Sequence, residues 1–302
     1  MAPRRRARPG LRRHLLLRSR PLLLLLLLPL LPPPRAASAA TPRVFCYVVV
    51  ATPAEEALAA VHRREGTHRA HCDAITFFGD RRTPLLTPFL PPEAGPGALV
   101  TPKGGPAWFG APVTLNLPVF LALWRHLRDA RTLEAGGWDW VVKLDADALL
   151  SPGPRGLRAR LRGAPPGVLM NVRSRRPDGS EELRLIGPVV AWSAGAFRTF
   201  LAGVDRCHAE IDHAGARDGV VKSIDDWFSH LCADHLGIPT PYQESLLDDW
   251  SLRQPGVHPG RCGEVQAWSG AAVMHPLKRP DALLGCWQSL LAAAAAAQRA
   301  EL

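Results

Sequence analysis

Residues 138–150 read Trp-Asp-Trp-Val-Val-Lys-Leu-Asp-Ala-Asp-Ala-Leu-Leu, and they constrain the fold more than any other stretch. The run Trp140–Leu144 predicts a short buried strand, because aromatic and β-branched residues of this span suit a sheet interior. Two aspartates one residue apart, Asp145 and Asp147, end it. Extended backbone turns alternate side chains to one face, so both carboxylates share a face at the strand's exposed end. Two close carboxylates repel each other. A divalent cation that favours hard oxygen ligands, Mn²⁺ or Mg²⁺, removes that cost and keeps positions open for substrate phosphates. The competing reading is a plain turn, with one aspartate capping and the other solvated. Against it, the pair lies inside an apolar segment, and the turn formers Ser151, Pro152 and Gly153 come only afterwards.

The flanking pattern extends this strand into a sheet. Arg43 to Val50 and Ala74 to Phe78 read as strands, as do Gly167 to Val172 and Gly187 to Trp192, and Val265 to Met274 ends in one. Pro53 to Arg64 predicts a helix with Thr52 as N-cap and Pro53 in its first position. Thr114 to Ala130 carries Leu117, Phe120, Leu121, Trp124 and Leu127 at helical spacing. Ser193 is expected to cap a helix running through Leu201, and Ser223 one running to His235. Residues 81–113, rich in Pro and Gly, are expected to form a long loop with little regular structure. Alternating strands and helices predict an α/β fold: a mixed, mainly parallel sheet with helices on both faces. Ligands in such sheets gather at the carboxyl ends of strands, where Asp145 and Asp147 sit.

The net charge of +10 suggests nucleic acid, but its distribution does not. Residues 1–35 hold nine arginines and no acid; the rest of the chain has 28 basic residues against 27 acidic ones. A near-neutral body with a basic leader argues against nucleic acid as a partner. The leader has a positive stretch, a leucine-rich run over Pro21 to Leu31, and small residues at Ala36 to Ala40. This is the layout of a signal peptide or a short signal anchor over residues 1–40. The apolar run is short against the roughly 20 residues of a spanning helix. Either reading places the body in the secretory pathway, in the Golgi lumen or secreted, with membrane contact only through that leader. The six cysteines all follow the leader and include no Cys-x-x-Cys pair, which predicts disulfides in an oxidising compartment rather than a zinc site. Residues 41–291 are read as a single domain, and residues 292–302 as an Ala-rich tail.

Three segments share one pattern: Lys143-Leu-Asp145-Ala-Asp147, Ser223-Ile-Asp225-Asp226-Trp227-Phe228, and Val273-Met-His275-Pro-Leu-Lys278. Together they resemble the GT-A glycosyltransferases, the nucleotide-sugar-dependent enzymes with a D-x-D motif, and among them a fringe-like or galactosyltransferase-like pattern. The resemblance covers roughly residues 43–290 and implies a GT-A-like (Rossmann-like) domain. It implies that Asp147 ligates Mn²⁺ or Mg²⁺ on the donor diphosphate, and that Asp145 binds the same metal or the donor's ribose and sugar. By the same resemblance His275 completes the metal shell and Lys278 neutralises the diphosphate. Asp226 looks like the general base, although this chain carries Asp225 where Glu is usual, which leaves the choice between the two open. The implied activity is an inverting, metal-dependent transfer of a hexose from a nucleotide sugar, UDP-linked in this family pattern, to a glycan or glycoprotein hydroxyl. The alternative is a secreted, disulfide-stapled binding domain or an inactive protein of the same fold.

Overall fold

The computed structural model describes residues 41–89, 103–108, 111–114, 116–134, 136–153, 156–175, 179–213, 224–249 and 270–300. The leader over residues 1–40 and Ser223 lie outside them. Five strands form the central sheet: β1 (Val44–Val49), β2 (Ala74–Gly79), β3 (Thr87–Pro88), β6 (Trp140–Leu144) and β10 (Val189–Ser193), in the order β10-β6-β1-β2-β3. β1, β2, β3 and β6 run parallel, and β10 alone is antiparallel. A second sheet has the order β11-β12-β7, from Leu247–Asp249, Val273–His275 and Leu149–Leu150. Two hairpins complete the strands: β4 (Lys103–Trp108) with β5 (Ala111–Thr114), and β8 (Val172–Arg175) with β9 (Glu181–Arg184).

Both faces of the central sheet are covered, as its parallel strands require. Val44, Cys46 and Val48 of β1 and Trp140, Val142 and Leu144 of β6 face one cluster. Helices α1 (Pro53–Glu65), α3 (Leu157–Leu161) and α6 (Pro280–Ala300) pack there through Leu58, Val61, Leu157, Leu283 and Trp287. The intervening Phe45, Tyr47 and Val141 face the other cluster. There α2 (Leu117–Asp129), α4 (Ala194–His213) and α5 (Asp225–His235) bring Trp124, Phe200 and Phe228. Each such side chain, fully withdrawn from water, contributes about 1.5–3 kcal/mol. This two-sided burial therefore outweighs any local preference of the short strands.

Local signals set the helix ends. Thr52 and Glu55 form a reciprocal capping box at α1, and Gly66, in the left-handed region at φ 66, closes it. Pro118 lies in the first turn of α2, which starts at Leu117 rather than Thr114. Ser193 is the last residue of β10; its hydroxyl accepts from the Gly167 amide. The helix after it runs to His213, past the expected end at Leu201. Gly203 lies inside that helix because a Cβ there would meet Leu236 Cδ1 at 2.6 Å. It serves close packing rather than termination.

Two strand expectations are corrected. Residues 81–113 are not a plain loop, since they hold β3, β4 and β5. Proline conceals these strands, and β3 and the hairpin are edges, where a missing amide is tolerated. Residues 167–172 make only isolated bridges at Val168 and Met170, and the strand proper begins at Val172. The strand expected at the end of residues 265–274 is β12, Val273–His275, while residues 265–269 lie outside the described residues.

Disulfides join Cys46 to Cys72 and Cys207 to Cys232. The second ties α4 to α5. Cys286 is also disulfide-bonded. Among the described residues, no helix is long and apolar enough to cross a membrane.

Candidate metal centre and adjoining acids

Strand β1 has β2 on one side and β6 on the other, so the strand order reverses there. The crevice at the carboxyl ends of β1 and β6 is the usual ligand position of such a sheet. A cavity of about 210 Å³ opens at this point, lined by Thr52, Glu55, Asn116, Phe120, Asp147 and Lys278 among others. Asp145 and Asp147 leave β6 through a turn closed by the Ala148 amide donating to the Asp145 carbonyl at 3.1 Å.

The second sheet delivers the third member. β7 follows the acidic turn and pairs with β12, whose last residue is His275. One ligand atom from each of Asp145, Asp147 and His275 falls within 4.8 Å of the others. His275 Nε2 lies 3.3 Å from Asp147 Oδ2, and the Lys278 ammonium contacts the same oxygen. The Leu277 amide donates to the Asp147 carbonyl at 2.8 Å, which holds the segment bearing Lys278 against the turn. Asp249 stands opposite His275 in the β11–β12 register, with its Oδ2 3.2 Å from His275 Nδ1.

The charges here are strongly coupled. Burial disfavours the Asp147 carboxylate, but His275 and Lys278 outweigh it and hold its pKa well below the usual range. Burial likewise opposes the imidazolium, yet Asp147 and Asp249 raise His275 to about 9. Asp147 Oδ2 is buried and has no aligned hydrogen-bond donor among the described residues. A buried carboxylate oxygen met only by charge contacts, beside a second carboxylate and an imidazole, fits a hard or borderline divalent cation.

A second group of charges adjoins the first. Lys143, 2% exposed, points to the α5 side of the sheet. Its ammonium lies 2.6 Å from Asp145 Oδ1 and 3.2 Å from Asp225 Oδ2, and it donates to the Gly187 carbonyl at 2.7 Å. Asp225 and Asp226 open α5, and both are buried. Asn116 donates to Asp225 Oδ1 at 2.6 Å and accepts from the Asp225 amide at 2.9 Å. That exchange leaves Asn116 without a capping bond to its own helix, α2. Asp226 accepts from the Gly187 amide at 2.9 Å and from the Trp227 amide at 2.7 Å. Burial and then neighbouring Asp225 push its carboxyl up to about 7, against the pull of Lys143. Gly187 sits between the two groups: a Cβ there would meet Asp226 Oδ2 at 3.6 Å and Asp145 Oδ2 at 3.9 Å.

All six residues singled out from the sequence thus sit in one region. Asp145, Asp147 and His275 meet; Lys278 joins Asp147; Asp225 and Asp226 are tied to Asp145 through Lys143. Asn116, Gly187 and Asp249 escaped the sequence reading. Asp249 carried a usable signal, since Leu-Leu-Asp-Asp at 246–249 repeats the pattern of an apolar run ending in acids. Asn116 carried none beyond that of an ordinary cap.

No family model matches the chain, and no curated protein matches it. Among solved structures, the chain is similar to the crystal structure of a glycosyltransferase involved in the glycosylation of the major capsid of PBCV-1. The identity is 12% over 78% of this chain and 93% of that one, with a TM-score of 0.39.

Proposed function

We propose that this chain is a metal-dependent glycosyltransferase of the GT-A type in the secretory pathway, Golgi-lumenal or secreted. On this reading it moves a hexose from a nucleotide sugar, UDP-linked, to a hydroxyl of a glycan or glycoprotein. The observation that carries the proposal is the convergence of Asp145, Asp147 and His275 at the carboxyl end of β6. Asp145, Asp147 and His275 would hold Mn²⁺ or Mg²⁺, which when bound supplies a positive charge to a departing diphosphate.

The chain's own residues account for the remaining needs. Lys278, half-exposed beside Asp147, adds a positive charge to the diphosphate side. Fixed charges of this kind stabilise charge that develops in the transition state. An acceptor hydroxyl must lose its proton as it attacks, which needs a positioned carboxylate. Asp225 is committed to Asn116 and Lys143, and its role is to anchor the helix start. Asp226 is the base: its oxygens are held by two backbone amides, one on each, which orient the carboxylate. A single base across from one leaving group implies inversion. The decisive trial is a screen of UDP- and GDP-sugars with Mn²⁺ and hydroxyl acceptors, reading released nucleotide. Metal-dependent release from a UDP-hexose is expected. UDP binding without turnover on any donor would favour the inactive-fold alternative.

A further inference from the structure

Three histidines, His62 in α1 with His68 and His71 in the segment before β2, lie outside the site above. His62 is 1% exposed, and its Nε2 is 2.8 Å from the carbonyl oxygen of Ala146, the residue between the two aspartates. A carbonyl only accepts, so this nitrogen carries hydrogen. Burial lowers the ring's pKa to about 4 against the opposing pull of that same bond, so the ring is neutral at pH 7. Its Nδ1 is then a bare acceptor, and Thr67 Oγ1, 2.6 Å away, must donate to it. The His68 ring packs at 4.4 Å from that of His62, and its Nδ1 is 3.3 Å from Thr67 Oγ1. Farther on, His71 Nε2 meets the Ser151 carbonyl at 2.5 Å, just past β7. The Cys46–Cys72 disulfide pins the end of this segment to β1.

The Ala146 carbonyl belongs to the peptide plane that leads into Asp147. Peptide planes are rigid, so the direction of that carbonyl also sets the direction from which Asp147 leaves the turn. We propose that His62, oriented by Thr67, is a positioning residue that holds the 146–147 peptide so that Asp147 faces Asp145 and His275. This deepens the metal-dependent reading and rests on it. The residues that position metal ligands typically change affinity 10–100-fold when removed.

The test uses the full chain, with Mn²⁺ affinity measured by electron paramagnetic resonance and amide hydrogen exchange followed over residues 145–148. His62→Leu is expected to weaken Mn²⁺ binding by about 10-fold or more and to speed exchange in the turn. His62→Gln, whose amide can donate to the same carbonyl, recovers most of both. A merely structural role lowers the melting temperature but leaves the folded protein's Mn²⁺ affinity unchanged. If folded His62→Leu binds Mn²⁺ and exchanges as the wild type does, the proposal is overturned. Should that variant not fold, Thr67→Val replaces it: wild-type affinity and exchange there overturn the proposal equally. If the wild type itself binds no Mn²⁺, the metal reading fails, and the exchange data alone decide whether His62 holds the turn.

Discussion

Lys143 holds together three acids that would otherwise repel. Burial disfavours its charge, yet Asp145 and Asp225 keep the ammonium protonated far above the ordinary range. Lys143→Met keeps the bulk and removes the charge, leaving Asp145, Asp225 and Asp226 uncompensated. Breaking a buried pair in this way costs about 3–5 kcal/mol, and denaturant unfolding reads it directly. A variant as stable as the wild type would show that the cluster relaxes or protonates at little cost. Asp226 gives a pH signature. Its folded pKa, about 7, lies above its ordinary value of 3.8. The folded state thus keeps a proton that the unfolded chain releases, and this group's penalty on folding grows as pH rises from about 4 to 7. As a base it must be unprotonated, so the transfer rate climbs with pH and levels off above about 7. A rate flat between pH 5 and 9 at saturating donor and metal would remove Asp226 from that role.

Elements differ in how plainly the chain announces them. β1 and β6 are legible because each buries alternate residues against two different clusters, which makes them apolar apart from Lys143 of β6. The acidic pair, His275 and Lys278 are legible for a local reason, since each lies within three residues of a strand end. Asp249 acts only through its β11–β12 register, and Asn116 only across a separation of 109 residues. No window along the chain contains those relations. The second half of α4, past the expected end at Leu201, was hidden by Gly203, whose small size answers to Leu236 rather than to its own helix. Helix α5, whose first turn carries Asp225 and Asp226, is tied to α4 two turns farther on through the Cys207–Cys232 disulfide. Replacing both cysteines by alanine is expected to cost about 2–4 kcal/mol, as read by urea unfolding. A loss well under 1 kcal/mol would mean that the aromatic packing of Trp124, Phe200 and Phe228 holds the two helices unaided.

For the whole molecule, topology and charge point to one place. The strand order reverses at β1, the second sheet brings His275 to the acidic turn beside it, and the cavity opens between them. The body's near-neutral balance leaves this crevice as its most strongly charged buried feature among the described residues. The central claim is that Asp145, Asp147 and His275 bind a divalent cation that in turn holds a nucleoside diphosphate. Calorimetric titration of UDP into the protein, with Mn²⁺ and with excess chelator, tests it most directly, using Asp147→Asn as the control. The account predicts UDP binding with Mn²⁺ that disappears in chelator and in Asp147→Asn, while the variant's circular dichroism stays that of the wild type. UDP binding of equal strength in all three conditions, or none in any, would contradict it.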